Sequence, residues 1–408
     1  METSASLSNI PNDIIRDILL QLPMKSLIRF QCVCKWWRSL IQDDSDFKLS
    51  YRGQERLLIL SNESKGRRNR NRRLFVRSTS HDLSLQSHKW PLKEGCPLIR
   101  PRHEYFVTWC SCNGLVLLVV ERDLLLWNPS TGCSMKVLER PYRFPDLYPK
   151  IILAGLCYDS CTTDYKAVLL LNGSNFGHSL VISSLNHKEW RPVEFPYCPD
   201  SIRDGVNFRN TFHWLVVSDY KYDDVGLGFS SSGNKIIYFD PVCDEFRILP
   251  TPDELRHFII SERRYGLRYG REKLIVGLGV IDDCICMAVL GEEYKIKTNK
   301  IQVLIMKEYG RQESWMTAFA IQLPEIPNRH IRSTLIFYSL KKDVQEVLFM
   351  HIVPGWYGLQ VSVYDIKKDE RKEVLTDFVT TTGRRYIVST CFYVESLAWP
   401  GNSGLLSQ

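Results

Sequence analysis

The chain has no hydrophobic run long enough to cross a membrane. Its long apolar runs, such as Leu115–Val120, have the length of a β-strand, whereas a membrane-spanning helix needs about 20 apolar residues. Residues 1–9 are small and polar and contain neither a charged n-region nor an apolar h-region, so we expect no secretory signal. The thirteen cysteines are therefore expected in a reducing compartment, where most serve as small buried apolar residues.

Catalytic and metal-binding signatures are also missing. No G-x-S-x-G, P-loop, H-E-x-x-H or G-x-G-x-x-G pattern occurs. His213, beside Trp214, is interpreted as a strand residue and not as a base. Three cysteine pairs have C-x-C spacing, namely Cys32/Cys34, Cys110/Cys112 and Cys284/Cys286. They lack the second pair that zinc sites use, and on a strand both sulfurs share one face, so core packing is predicted. We expect a non-catalytic chain with no metal and no cofactor.

One basic run contains no acidic residue. Residues 65–73, KGRRNRNRR, hold six basic residues and account for most of the net charge of +7, so the rest of the chain carries only +1. A solvated loop, a nuclear import signal and a contact with an acidic target are all compatible with this run. Nucleic acid is an improbable partner, because the run lacks the aromatic residues on which bases stack.

The N-terminal stretch 10–41, in contrast, is rich in large apolar residues. Pro11 is suited to the first turn of a helix, apolar residues then recur at helical spacing, and Pro23 ends that helix. The pattern predicts a small module of three helices. About forty residues cannot bury so many apolar groups among themselves, so part of this surface is expected to meet a partner.

The segment LSNIPNDIIRDILLQLPMKSLIRFQCVCKWWRSLI resembles an F-box of the plant type. Ile10 replaces the more usual Leu, and Trp36 stands where a small residue is commoner. The alternative is an ordinary helical hairpin packed on the rest of the chain. The resemblance implies that residues 1–50 bind a Skp-type linker, which bridges to a cullin. It assigns the following residues to linker contact: Ile10, Pro11, Ile14, Ile18, Leu19, Leu22, Pro23, Leu27, Val33, Lys35, Trp37 and Leu40. For Leu19 and Leu22 a place in the core of the module is equally open.

The remainder of the chain consists of short apolar runs separated by turn residues, and these runs repeat. Equivalent positions are Phe75, Trp127, Ser183, Tyr238, Met306 and Tyr364, at steps of 52, 56, 55, 68 and 58 residues. A repeat of this length with about four strands predicts a kelch-like β-propeller of six or seven blades. Residues 261–273 are interpreted as an insertion, and residues 386–397 as strands that close the ring. A pair of β-sandwiches is the structural alternative.

This region resembles the F-box-associated domain of plant F-box proteins, and is similar to the defence-regulator and S-locus-type members. The resemblance rests on Ser111–Val116, Leu126–Gly132, Gly155–Asp159, Asp164–Val168 and Tyr393–Leu397. We expect these signature residues to be scaffolding. The predicted domains are the F-box at 1–50, a connecting segment with the basic loop and the first β elements at 51–100, and the propeller-like domain at 101–400.

The two resemblances together imply a substrate adaptor of an SCF-type E3 ubiquitin ligase in the cytoplasm, the nucleus or both. The F-box would dock on the linker, and the β domain would present a protein substrate for ubiquitination. The alternative is a carbohydrate-binding or sugar-processing propeller, for which the paired acids Asp223-Asp224 and Asp282-Asp283 are candidates, although turn placement also explains them. Two long connections, residues 220–233 and 261–273, supply candidate substrate contacts: Tyr222, Asp223, Asp224, Arg263, Arg264 and Tyr265.

Overall fold

The computed structural model describes residues 10–65, 72–79, 85–89, 108–120, 123–139, 150–173, 177–195, 197, 202–216, 220–222, 229–231, 235–255, 258–263, 266–268, 272–292, 300–322, 336–339, 346–353, 358–376, 378–379 and 383–398. The basic loop 66–71 lies outside these residues. No helix among them is long and apolar enough to cross a membrane.

The N-terminal module contains four helices, one more than predicted. They are α1 (Asn12–Leu20), α2 (Met24–Phe30), α3 (Lys35–Gln42) and α4 (Ser45–Ser50). Pro11 and Pro23 occupy the caps before α1 and α2, where a missing backbone N–H costs nothing. The fourth helix was missed because it is short and is fixed by its cap: the Asp44 carboxylate accepts the backbone N–H of Phe47 at 2.6 Å.

The core of this module is closed partly by residues from outside the helices. Its buried members are Leu19, Met24, Leu27, Leu40, Ile41, Phe47, Tyr51 and Leu397. Tyr51 follows α4, whereas Leu397 comes from the other end of the chain. The helices therefore pack on the rest of the protein through a shared apolar core.

Six four-stranded antiparallel blades follow. Blade 1 consists of β29 (Gly383–Val394), β1 (Glu55–Lys65), β2 (Arg72–Thr79) and β3 (Leu85–His88), with β28 (Phe378–Val379) on its edge. Blade 2 consists of β4 (Thr108–Cys112), β5 (Leu115–Val120), β6 (Asp123–Trp127) and β7 (Ser134–Glu139). Blade 3 consists of β8 (Lys150–Asp159), β9 (Asp164–Gly173), β10 (Gly177–Ser184) and β11 (Trp190–Val193).

The remaining three blades continue the same pattern. Blade 4 consists of β12 (Ile202–Phe208), β13 (Thr211–Val216), β16 (Lys235–Asp240) and β17 (Glu245–Leu249). Blade 5 consists of β20 (Glu272–Ile281), β21 (Cys284–Glu292), β22 (Lys300–Met306) and β23 (Trp315–Gln322). Blade 6 consists of β24 (Ile336–Ser339), β25 (Glu346–Val353), β26 (Gly358–Asp365) and β27 (Glu370–Thr376).

The predicted repeat corresponds to the blades. Each of the six equivalent positions lies on the third strand of its blade, namely on β2, β6, β10, β16, β22 and β26. The prediction of a propeller is therefore confirmed, with six blades, and the β-sandwich alternative is wrong. The predicted closing strand is also confirmed, since β29 pairs with β1 along its whole length, from Val394 opposite Glu55 to Gly383 opposite Lys65.

The two faces of the ring differ in what they carry. We call the face that bears the helical module the near face and the opposite one the far face. The end of β29 and the start of β1 lie on the near face, as does the turn Asn113-Gly114, because Gly114 lies against Ser396. Since each blade is an up-and-down meander, the turns between first and second strands and between third and fourth strands all lie on the near face.

Two tight hairpins on the near face account for sequence features noted above. Asn113 and Gly114 have φ values of 51° and 77°, which fits a two-residue turn with two left-handed positions. Asp282 and Asp283, between β20 and β21, have φ values of 50° and 53°. The paired acids at 282–283 thus occupy a turn for which Asp is a preferred residue.

The far face carries an additional small sheet. Its strands are β14 (Tyr220–Tyr222), β15 (Phe229–Ser231), β18 (Phe258–Arg263) and β19 (Gly266–Arg268), in that order. β14 and β15 are inserted between β13 and β16, whereas β18 and β19 precede β20. The pairing of Phe229 with Ile260 joins the two insertions. The long step of 68 residues, from Tyr238 to Met306, contains β18 and β19, whereas β14 and β15 fall within the preceding step of 55 residues.

Candidate interaction surfaces

The residues assigned to linker contact separate into exposed and buried groups. Exposed are Ile10, Pro11, Ile14, Ile18, Pro23, Val33 and Lys35. Leu22 and Trp37 are half-buried, and Leu19, Leu27 and Leu40 are buried in the core of the module. The buried three support the shape of the module and are not on its surface.

The exposed group forms an unusual concentration of apolar surface. Of the ten exposed large apolar side chains among the described residues, six belong to residues 10–36. Ile10, Ile14 and Ile18 are 54%, 49% and 50% exposed, respectively, and follow one another at intervals of four residues. Ile14 and Ile18 lie in α1 and therefore share one face of that helix. Val33 is 59% exposed. A monomeric surface rarely concentrates such residues without a partner.

Two members of this surface were not among the predicted contacts. Ile28 and Trp36 are each 38% exposed. Trp36 was recognisable as a departure from the family pattern, because a large aromatic residue stands where a small one is usual. Ile28 carried no separate signal, since apolar residues occur on both sides of it. Cys32 and Cys34 are also exposed, contrary to the predicted core packing, and the sulfur of Cys34 caps α3 by accepting the N–H of Trp37 at 3.4 Å.

Residues 395–398, which follow β29, join the helical module to the propeller; we call them the latch. Glu395 forms two backbone hydrogen bonds with the segment that precedes β1. The Gly53 N–H donates to the Glu395 carbonyl, and the Glu395 N–H donates to the Gln54 carbonyl, both at 2.9 Å. Its carboxylate pairs with Arg56 at 2.5 Å in a nearly buried ion pair. A Cβ on Gly53 would lie 2.6 Å from that of Glu395, so this approach requires glycine.

The latch is held on the propeller side by Asn128, which is fully buried in the turn between β6 and β7. Its amide N–H groups donate to the carbonyls of Ser396 and Ala398 at 2.9 and 2.7 Å, while its carbonyl oxygen accepts the N–H of Ser130 at 2.8 Å. Gly114 touches the same segment. The signature residues at 113–114, 128–132 and 395–397 therefore converge, and their contacts are those of scaffolding, as predicted.

Leu397 and Tyr51 complete the junction from opposite chain ends. Leu397 is 7% exposed and belongs to the core of the helical module. The Tyr51 hydroxyl donates to the Leu22 carbonyl at 2.9 Å, and burial raises the pKa of Tyr51 to about 12, so the donor keeps its proton. These contacts fix the direction in which the exposed apolar surface faces relative to the ring.

The candidate substrate residues are only partly within the described chain. Tyr222 ends β14 and Arg263 ends β18, and the two strands are joined through β15. The two connections chosen from the sequence therefore meet in one sheet on the far face. Asp223, Asp224, Arg264 and Tyr265 lie outside the described residues.

His213 is built into the interior and not into a cleft. It is fully buried, its Nε2 lies 2.7 Å from the Tyr309 hydroxyl, and its Nδ1 lies 3.1 Å from the Thr211 carbonyl. The Tyr238 ring stacks on it at 5.3 Å. Burial lowers the pKa of His213 to about 3 and keeps the ring neutral. Within the part of the chain that is described, no group of three or more His, Cys, Asp or Glu residues is arranged to hold a metal.

The chain thus combines a small helical module that has an exposed apolar surface with a six-bladed propeller, and the module is fixed on one face of the ring. Residues 7–49 match the F-box domain family, and residues 73–399 match the family described as F-box associated beta propeller domain. The chain therefore belongs to the F-box proteins with an F-box-associated propeller, and the resemblance found in the sequence is confirmed.

Individual relatives agree with this assignment. An F-box/kelch-repeat protein of Arabidopsis thaliana is 29% identical over 77% of this chain and 79% of its own length. The F-box protein CPR1 of the same plant is 28% identical over 84% of this chain and 79% of its own length. A nidogen/laminin complex structure has 11% identity and a TM-score of 0.41 over 84% of this chain and 99% of its own. The fold assignment rests on the strand pairing and the family matches.

Proposed function

We propose that this protein is a substrate-recognition adaptor of an SCF-type E3 ubiquitin ligase. The observation that carries the proposal is the concentration of exposed apolar side chains on a module whose own core is already closed. In this proposal the F-box binds a Skp-type linker through Ile10, Pro11, Ile14, Ile18, Pro23, Val33 and Lys35, with Leu22, Trp37, Ile28 and Trp36 at its margin. The linker connects the protein to a cullin.

The far face would receive the protein substrate. Three features support this choice: the far face is turned away from the linker, it bears the additional sheet, and loops carried on a rigid scaffold are common recognition elements. The adaptor would contribute to ubiquitination without chemistry of its own, because holding the substrate near the transfer machinery raises the effective concentration of its lysines. Cytoplasm and nucleus are the compartments that fit this role.

The carbohydrate alternative has less support. Sugar hydrolysis needs two carboxylates that converge on one glycosidic bond. Asp282 and Asp283, however, are neighbours in a hairpin turn whose left-handed backbone by itself favours Asp. The presence of paired acids there is explained without a ligand.

The proposal is tested by co-expressing the full chain with a tagged plant Skp-type linker. Val33→Asp should reduce the recovered complex at least about tenfold, because it places an unpaired carboxylate in an apolar contact. Val242→Asp is the matched control: Val242 is 51% exposed, compared with 59% for Val33, but it lies in the β16–β17 turn. A folded wild-type chain that does not recover the linker would refute the adaptor role, and equal losses in both variants would refute the assigned surface.

A further inference from the structure

The outer strand of blade 5, β23, lacks the protection that the other outer strands have against pairing with a second chain. The free edge of a sheet is normally protected by charged residues, proline or a short strand, because its unpaired N–H and C=O groups can pair with another strand. β7 and β17 contain two charged residues each, β27 contains four, β11 contains Arg191 and Pro192, and β3 has only four residues. β23, in contrast, has eight residues, WMTAFAIQ, with neither a charge nor a proline.

The free edge of β23 is also open to solvent. Within the part of the chain that the structure describes, β23 pairs along its length with β22 alone. Met316 is 50% exposed, and Thr317 and Ala318 are exposed beside it. A bulge at Ala318 interrupts the pairing with β22, as bulges do in β7 and β27, but only in β23 is the bulge without charged neighbours on the strand.

Contacts at both ends hold β23 in place. At its start, the indole N–H of Trp315 donates to the Pro250 carbonyl of blade 4 at 2.8 Å. Just before the strand, the side-chain amide of Gln312 donates to the Asp253 carboxylate at 2.9 Å. Towards its end, Ile321 is buried. Because the edge is already ordered, pairing with another strand costs less conformational entropy.

We propose that β23 is a self-association surface, at which two copies of this chain pair edge to edge with their β23 strands antiparallel. The strand itself has the chemistry that this edge accepts, since it is extended, uncharged and apolar, and its own copy opposes no like charges to it. Pairing about a two-fold axis is closed and therefore ends at the dimer. Net charge does not oppose this contact, because six of the seven net positive charges belong to residues 65–73, which join β1 to β2 in blade 1. The inference is independent of the adaptor function, because the latch fixes the helical module to blades 1 and 2.

Sedimentation velocity of the full chain between about 1 and 50 µM tests this inference, and the wild type should convert from monomer to dimer over this range. The variant T317K/A318K places two lysines on the exposed edge and should raise the dissociation constant of the dimer at least about tenfold. Its melting temperature should not fall, because both positions are exposed. The matched control V242K/I248K also adds two lysines, at positions of blade 4 that are 51% and 52% exposed, and should change the dissociation constant less than about twofold.

Three outcomes would overturn the inference. A wild-type chain that stays monomeric at about 50 µM would leave the edge of β23 to a segment of another protein. Equal weakening by T317K/A318K and V242K/I248K would show that added charge, and not its place, disrupts the dimer. The helical module offers a second apolar surface, so I14A/I18A is measured as well, and an association that is lost in this variant but kept in T317K/A318K would run through the module. If T317K/A318K melts early, Met316→Lys replaces it, since Met316 is half exposed.

Discussion

The exposed isoleucines of α1 allow a quantitative test of linker binding. Ile14 and Ile18 are 49% and 50% exposed. Complete burial of an isoleucine side chain contributes about 1.5–3 kcal/mol, so covering the exposed half contributes about 1 kcal/mol at each position. The double variant I14A/I18A should therefore lose about 2 kcal/mol of binding free energy, which corresponds to a dissociation constant about 30-fold higher.

Isothermal titration calorimetry with purified linker measures this change, and the heat capacity of binding should become less negative because less apolar surface is buried. Ile248→Ala is the control, since Ile248 is 52% exposed on β17 and outside the module. Because alanine is a better helix former than isoleucine, the double variant should not lose stability. An affinity within about threefold of wild type, or an equal loss in the control, would contradict the assigned surface.

Three other expectations concern stability. Trp37→Ala should weaken linker binding and also lower the unfolding free energy by about 2 kcal/mol, because Trp37 is half-buried against Phe30 with ring centroids 5.3 Å apart. Urea unfolding without any loss of stability would contradict this packing role. Leu397→Ala should speed trypsin cleavage between the helical module and β1, because Leu397 is part of the core that holds the module on the propeller. Ile248→Ala is the control, and equal cleavage rates in the two variants would argue against the shared core. His213 has a pKa of about 3 in the folded chain, so below pH 6.5 the unfolded chain protonates this residue and the folded chain does not. The unfolding free energy should therefore fall by up to about 1.4 kcal/mol per pH unit from pH 6.5 towards 3. Denaturation measured at several pH values should show that His213→Gln removes this contribution to the pH dependence.

The propeller was predictable because its third strands repeat with their turns. Trp127 and Tyr238 lie at equivalent places because each blade must bury a strand between its neighbours. Blade 1 was less evident. The first strand of blade 1, β29, comes from the C-terminal part of the chain, so residues 55–88 contain only the other three strands of the blade. These residues were therefore assigned to a connecting segment. A local pattern does not show a pairing between Leu57 and Phe392.

The exposed apolar residues of the helical module were predictable as a set of apolar positions but not as one face of the module. Helical spacing identifies apolar positions, and Leu19 and Ile18 both satisfy it. Which of them is covered depends on Tyr51 and Leu397, which pack on the helices from outside. Leu27 and Leu40 were assigned to linker contact for the same reason, although they lie in the core.

The latch also has a consequence for the order of events during synthesis. Arg56 and Glu395 are 339 positions apart, and ribosomes add about 5–20 residues per second. The helical module thus leaves the ribosome about 20–70 s before the residues that complete its core. During that interval the nascent chain exposes both the apolar residues on the surface of the helical module and the part of its core that Leu397 later covers. Early capture by the linker would shield this surface while the ring is still open.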